Sequence, residues 1–116
     1  MKQDNEKILL LKARVYNLIA NASKSKPIKG KTICFESGLS FRIVKQIISE
    51  LREEYPIVSK ETDGGGYWLA TDKDDIVRFI KMIDARKNGY EDTITKMKKF
   101  LDNDFEVDSN HIPYID

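Results

Sequence analysis

The segment 38-GLSFRIVKQIISELREEYPIVSKETDGGGYWLA-70 decides the fold, because an amphipathic helix is followed at once by two strand-like runs. The apolar residues of the helix recur at the three- and four-residue spacing of one helical face. They are Val44, Ile47, Ile48 and Leu51. The strand-like runs cover 55–59 and 66–70, and the glycines between them supply the positive φ of a hairpin tip. We therefore predict a helix from Phe41 to about Glu54 and then a β-hairpin.

Two further helices are predicted upstream of this segment. From Glu6 to Ala22, apolar residues recur at helical spacing without an interrupting Gly or Pro, and 27–29 leaves room for a very short extended piece. Residues 30–37 are typical of a short helix that ends at Gly38. Ser40 then caps the next helix, since its hydroxyl can accept from free amide groups. A short helix, a three-residue turn and a second amphipathic helix form a helix-turn-helix.

The segment after the hairpin is predicted to be helical, with Thr71 or Asp72 as its cap. Seven apolar residues follow the four- and three-residue spacing of a heptad seam, in which Lys87 occupies the one step between Ile83 and Tyr90 that is not apolar. These predicted dimerisation residues are Ile76, Ile80, Ile83, Tyr90, Ile94, Met97 and Leu101. Asn88-Gly89 lies in their middle and leaves two alternatives. One is a long helix over 72–103 that forms a coiled-coil dimer, which the spacing favours, and the other is a helical hairpin folded back on the core.

Composition and charge limit the classes of function. With 116 residues, 41% hydrophobic and 34% charged, the chain has room for one domain core and an extension. Its longest apolar run, Ile8 to Leu11, is too short to span a bilayer, and the N-terminus lacks a secretory signal, so we expect a cytoplasmic protein without a membrane partner. Residues 102–116 hold five acids and no Lys or Arg, whereas the first 101 residues carry 20 basic and 14 acidic side chains. A basic body indicates an anionic partner, and 104–116 is predicted to be a mobile acidic tail.

Side chains suited to catalysis or metal binding are scarce. Cys34 and His111 are the single cysteine and histidine, too few for the usual zinc sites. The stretch 25-SKPIKGKT-32 matches only the end of a phosphate-binding loop, because it starts with serine and follows a helix instead of a strand. The pairs Glu53-Glu54 and Asp74-Asp75 are neighbours that point in different directions on a helix. We expect no enzyme, no cofactor and no metal site.

The combined pattern resembles winged-helix DNA-binding domains, and most closely the N-terminal domain of the biotin repressor and its relatives. The residues that carry the resemblance are Gly38-Leu39-Ser40, Val44 and Ile48, Leu51-Arg52-Glu53, Tyr55-Pro56-Ile57, and Gly64-Gly65-Gly66-Tyr67 with Leu69. They cover about 8–70, and the ligase domain of that family has no counterpart here, so biotin chemistry is not implied. Small stand-alone proteins of this type resemble those of prophages and mobile elements. The implied organisation is a winged-helix domain over 1–71, a helical extension over 72–103 and the tail 104–116.

A helix-turn-helix places its second helix in the major groove, where side chains of the first two turns reach base edges. The predicted DNA-binding residues are Ser40, Arg42, Lys45, Gln46 and Ser49 at that helix, Lys29 and Lys31 before the preceding one, and Lys60, Gly64 and Gly65 in the hairpin loop, or wing. Arg pairs with guanine and Gln with adenine, and Lys contacts phosphates. The sequence thus predicts sequence-specific binding of double-stranded DNA by a homodimeric transcriptional regulator.

Two other functions stay open at the level of sequence. One is a replication or recruitment adaptor of a phage or mobile element, whose tail docks on a second protein through Phe105, Ile112, Tyr114 and Ile115. The other is a winged helix that binds only protein, its polar faces being solvated. Trp68 raises a similar choice, because alternation puts it on the opposite face of the hairpin from Tyr67 and Leu69. We expect Trp68 to pack under the C-terminal helix, the alternative being exposure to a partner.

Overall fold

The structure, a computed structural model, describes residues 2–60, 65–85 and 90–102. The elements, in chain order, are α1 (Lys2–Ala20), α2 (Gly30–Ser37), α3 (Phe41–Leu51), β1 (Ile57–Ser59), β2 (Tyr67–Leu69), α4 (Lys73–Asp84) and α5 (Glu91–Asp102). The class predicted from the sequence, mainly helical with one antiparallel hairpin, is confirmed. Within the described ranges, no helix combines the length and the apolar character needed to cross a bilayer.

The turn between α2 and α3 forms through the two residues predicted to form it. Gly38 adopts the left-handed conformation with φ 74°, and its N–H donates to the Cys34 carbonyl at 2.8 Å. Only glycine adopts such a φ without a steric cost from Cβ. Two residues later, the Ser40 hydroxyl accepts from the Ile43 N–H at 3.3 Å and caps α3. These two local contacts set where α2 ends and α3 begins.

The first of two core clusters lies between the three N-terminal helices and one face of the hairpin. Its buried members are Val15, Tyr16 and Ile19 of α1, Ile33 of α2, Val44, Ile47, Ile48 and Leu51 of α3, and Ile57 of β1. The α3 members are the apolar stripe read from the sequence. Because this stripe faces α1 and α2, the polar side of α3 faces away from them.

The hairpin pairs Ile57 with Leu69, Val58 with Trp68 and Ser59 with Tyr67. Ile28 extends it, since the backbones of Ile28 and Tyr67 exchange hydrogen bonds of 3.0 and 2.8 Å. Tyr67 and Leu69 pack on the first cluster, whereas Trp68 is buried in the second, as alternation predicted. At the base of the loop, a Cβ on Gly66 would lie 2.6 Å from the Pro27 Cβ. A larger residue at position 66 would therefore push the hairpin away from this extended piece.

The C-terminal region differs from the long helix that the heptad spacing favoured. Helix α4 begins at its predicted cap Asp72, whose carboxylate accepts from the Asp75 N–H at 2.8 Å, and ends at Asp84. Helix α5 packs back against α4, which is the helical-hairpin alternative. Residues 86–89, which hold Asn88-Gly89, and the predicted tail 104–116 lie outside the described residues.

The seven residues of the predicted dimer seam lie in the second core cluster of the same chain. Ile76, Ile83 and Met97 are buried there, and Ile80, Tyr90, Ile94 and Leu101 pack around them. Spacing identifies an apolar face but not the surface that covers it. Here the cover is the other helix of the pair, together with Val58 and Trp68 of the hairpin. A homodimer stays a prediction, and its proposed interface residues already pack within one chain.

Candidate nucleic-acid interface

The N-terminal half of α3 presents polar side chains to solvent. Arg42, Lys45 and Gln46 are all exposed, because the buried stripe of the helix occupies the opposite face. The Lys45 ammonium lies 5.5 Å from the centroid of the Phe41 ring, a cation–π distance. Arg42 and Gln46 make no side-chain hydrogen bond or ion pair with any other described residue. Their hydrogen-bonding groups are therefore available to a partner.

The C-terminal half of α3 contacts α5 at Ser49. Lys96 donates to the Ser49 carbonyl at 2.9 Å and contacts the Ser49 hydroxyl at 3.3 Å. The Lys96 ammonium also pairs with the Glu53 and Asp92 carboxylates, each at 3.2 Å. Lys99 donates to the Glu53 carbonyl. Ser49 is half-buried against α5, which differs from the open, DNA-facing position predicted for it.

The electrostatics of Lys96 strengthen this contact. Burial lowers the pKa of Lys96, but hydrogen bonds from its ammonium to Glu53 and Asp92 raise the pKa more, and the net value lies above the ordinary one. Only 14% of the Lys96 side chain is exposed, against 59% for Glu53 and 76% for Asp92. The cation thus lies between two acids that remain partly in water. The pair with Glu53 links α5 to the turn after α3, whereas the pair with Asp92 lies within α5, and the partial exposure of both acids keeps the cost in desolvation moderate.

Two of the predicted phosphate contacts lie beside the exposed half of α3. Lys29 and Lys31 flank the first residue of α2 and are both exposed. Helix α2 begins so close to the start of α3 that a Cβ added to Gly30 would lie 2.6 Å from the Phe41 ring. Lys29, Lys31 and Phe41 consequently line one shallow hollow. Positive charge from two helices converges at this end of α3.

The hairpin contributes to a second hollow beside α3, a cleft that shares Gly30 and Phe41 with the first. The Lys60 N–H donates to the Gly66 carbonyl at 3.1 Å and closes the described part of the loop, where Gly65 has φ 80°. Lys60 and Gly65 line a cleft of about 360 Å³ together with Lys45 of α3. Gly64, also predicted to approach DNA, lies outside the described residues.

Arg52 is a cleft residue that reasoning from the sequence did not assign to a site. Its Nε donates to the Ile57 carbonyl at 2.9 Å, and its guanidinium lies 4.9 Å from the centroid of the Phe79 ring. Burial lowers the pKa of Arg52 to about 10, although the nearby Tyr67 and Tyr90 act in the opposite direction. Burial likewise raises the pKa of Tyr67, against the effect of Arg52. The sequence pointed to a shared site only through the position of Arg52, which lies seven residues, or about two helical turns, after Lys45.

The structure thus divides the predicted DNA-binding residues into groups. The exposed half of α3, with Ser40 at its cap, lies beside both the Lys pair of α2 and the hairpin cleft, whereas Ser49 contacts α5. Across the described ranges, no three His, Cys, Asp or Glu side chains are close enough to hold a metal ion. Comparisons of the chain with models of protein families, with curated proteins and with solved structures give no match.

Proposed function

We propose that the chain is a winged helix-turn-helix protein that binds double-stranded DNA in a sequence-specific manner and acts as a transcriptional regulator. The order of elements supports this proposal. A helix, a short extended piece at Ile28, two helices joined by a tight turn and an antiparallel hairpin follow one another in the order typical of a winged helix. In this assignment α3 is the recognition helix and the 60–66 loop is the wing.

The observation that carries the proposal is the exposed N-terminal half of α3. In a helix-turn-helix, the N-terminal residues of the second helix contact base edges. Arg42, Lys45 and Gln46 are exposed on these turns. An Arg can donate two hydrogen bonds to guanine, and a Gln amide can both donate to and accept from adenine. The residue types therefore suit base readout as well as binding to the backbone.

The flanking lysines would contribute affinity that is blind to sequence. Lys29 and Lys31 project from the start of α2, the helix that crosses the DNA backbone in such complexes. Each lysine that neutralises a phosphate releases condensed counterions, which makes the affinity fall as salt rises. Base contacts and phosphate contacts should therefore separate in mutants of the two helices.

The proposal is tested by selecting bound fragments from a random DNA pool and then measuring affinity by fluorescence anisotropy at several salt concentrations. Arg42→Ala and Gln46→Ala should each weaken binding of the selected site by about 10- to 100-fold and relax preference at one base pair. Lys31→Ala should weaken binding to all DNA sequences by the same factor. It should also reduce the slope of log affinity against log salt concentration by about one.

A matched control is Arg14→Ala, since Arg14 is an exposed arginine of α1 that pairs with Glu36. It should leave affinity for the selected site unchanged. Failure to enrich any sequence, or equal affinity of the wild type and Arg42→Ala for an enriched one, would refute specific readout by α3.

A further inference from the structure

The cleft beside α3 has the size and position of a small-molecule site. It runs between α3 and the hairpin and is bordered by α4 and the residue before α5. Its volume of about 360 Å³ lies in the range of pockets that bind small ligands, roughly 300 to 1,000 Å³. The rings and apolar side chains that line it are Phe41, Tyr67, Phe79, Met82, Ile83 and Tyr90.

Cationic side chains line the described part of the cleft. Lys45 of α3 and Arg52, which follows α3, both lie there. Arg52 uses its Nε on the Ile57 carbonyl, while its two terminal nitrogens have no acceptor in the described chain. Clefts with charge of one sign and low-dielectric walls concentrate the opposite ion. Such a lining favours an anionic ligand.

The geometry of Arg52 prepares it for a planar anion. Its guanidinium is held by the backbone of β1 and lies over the Phe79 ring, so its orientation is restricted before any ligand arrives. A guanidinium with both terminal nitrogens available pairs bidentately with a carboxylate. Burial disfavours the charged form of Arg52 and so lowers its pKa, whereas a bound anion would stabilise that charged form.

We propose that this cleft binds a small aromatic carboxylate, whose carboxylate pairs with Arg52 and whose ring packs among Phe79, Met82 and Tyr90. The ligand site itself does not depend on DNA binding. Lys45 links the two, because it lines the cleft and also belongs to the exposed half of α3. Resting on the proposed function, a bound anion beside Lys45 should weaken binding to DNA, since it neutralises positive charge near the phosphates.

Isothermal titration of the full chain with 2-naphthoate tests the site, with 2-naphthamide as the neutral probe of the same shape and inorganic phosphate as the anion without a ring. Saturable one-to-one binding of 2-naphthoate is expected, at least tenfold tighter than either comparison probe. Arg52→Gln should weaken 2-naphthoate binding at least tenfold, and Arg14→Gln should not. Because Arg52→Gln also loses the bond to Ile57, folding is checked by circular dichroism. Met82→Trp, which narrows the cleft and keeps Arg52, should weaken binding as well.

Four outcomes would overturn the proposal. They are no binding of 2-naphthoate at millimolar concentration, equal binding of the amide, phosphate binding at least as tight as that of the carboxylate, and 2-naphthoate binding that both cleft variants leave intact. Phosphate binding at least as tight as that of 2-naphthoate would instead identify the cleft as a binding site for a DNA phosphate. The effect on DNA is measured separately, by repeating the anisotropy titration in saturating 2-naphthoate. Ligand binding without any change in DNA affinity would refute the coupling through Lys45.

Discussion

The two halves of α3 belong to one helix and one polar stripe, yet they have opposite surroundings. Arg42, Lys45 and Gln46 in the first half face solvent, whereas Ser49 in the second half contacts Lys96 of α5. Helical periodicity assigns all four side chains to the polar side of the helix. What separates them is a helix that lies more than forty residues later in the chain. A sequence pattern therefore gives the maximum extent of an interface, and tertiary packing decides how much of it stays accessible.

This difference predicts a division of roles along α3. Substitutions in the exposed half should change binding and leave the free energy of unfolding almost unaltered, because exposed side chains without partners contribute little to stability. Substitutions that detach α5 should lower stability. They should also uncover Ser49.

The largest effect is expected from Met97→Ala. Met97 is fully buried on α5 in the second core cluster, and truncating a buried Met leaves a cavity. We expect the free energy of unfolding in urea to fall by about 2 to 5 kcal/mol. Lys98→Ala, at the exposed neighbouring position, is the control and should change stability by less than about 0.5 kcal/mol. Equal effects of the two variants would mean that α5 does not pack as described.

A smaller effect is expected from Lys96→Met, which keeps the apolar stem and removes the ammonium. The carbonyl of Ser49 and the partly exposed carboxylates of Glu53 and Asp92 would lose their common donor. The expected loss in free energy of unfolding is about 1 kcal/mol. Lys96→Arg should recover part of it, and a variant as stable as the wild type would contradict the bridging role.

The contribution of Lys96 should also depend on pH in a defined direction. Its pKa in the folded chain lies above the ordinary lysine value of 10.5, so the folded state holds the proton more tightly than the unfolded state. The stability difference between wild type and Lys96→Met should be constant below pH 10.5 and shrink as pH rises through the folded pKa. Urea unfolding of both proteins between pH 7 and 11.5 measures it. If the stability difference between the two proteins grew at high pH, the raised pKa of Lys96 would be contradicted.

The smallest effect on stability is expected in the exposed half of α3. Arg42→Ala and Gln46→Ala should each alter the free energy of unfolding by less than about 0.5 kcal/mol. Ser40→Ala, at the cap of the same helix, should cost about 1 kcal/mol because the Ile43 N–H loses its acceptor. Thermal unfolding of the three variants checks this order. A loss at Arg42 as large as that at Ser40 would mean that the guanidinium has a structural partner.

Features set by neighbouring residues were predictable from the sequence. The left-handed Gly38, the caps at Ser40 and Asp72 and the buried stripe of α3 all follow from contacts within a few positions. The placement of α5 was not predictable in this way, because a heptad of apolar residues fits a partner chain as well as a helical hairpin. Arg52 was missed for a related reason, since its contacts with Ile57 and Phe79 depend on how the hairpin and α4 pack.

Trp68, the single tryptophan of the sequence, is buried where the hairpin meets α4, with 7% of its surface exposed. Its indole N–H finds no acceptor in the described part of the chain. A buried indole emits at shorter wavelength than one in water, and exposure to water shifts the emission to the red. The chain therefore carries an intrinsic fluorophore at one defined boundary. Stopped-flow fluorescence of the unlabelled protein would time the separation of the helical hairpin from the rest of the fold.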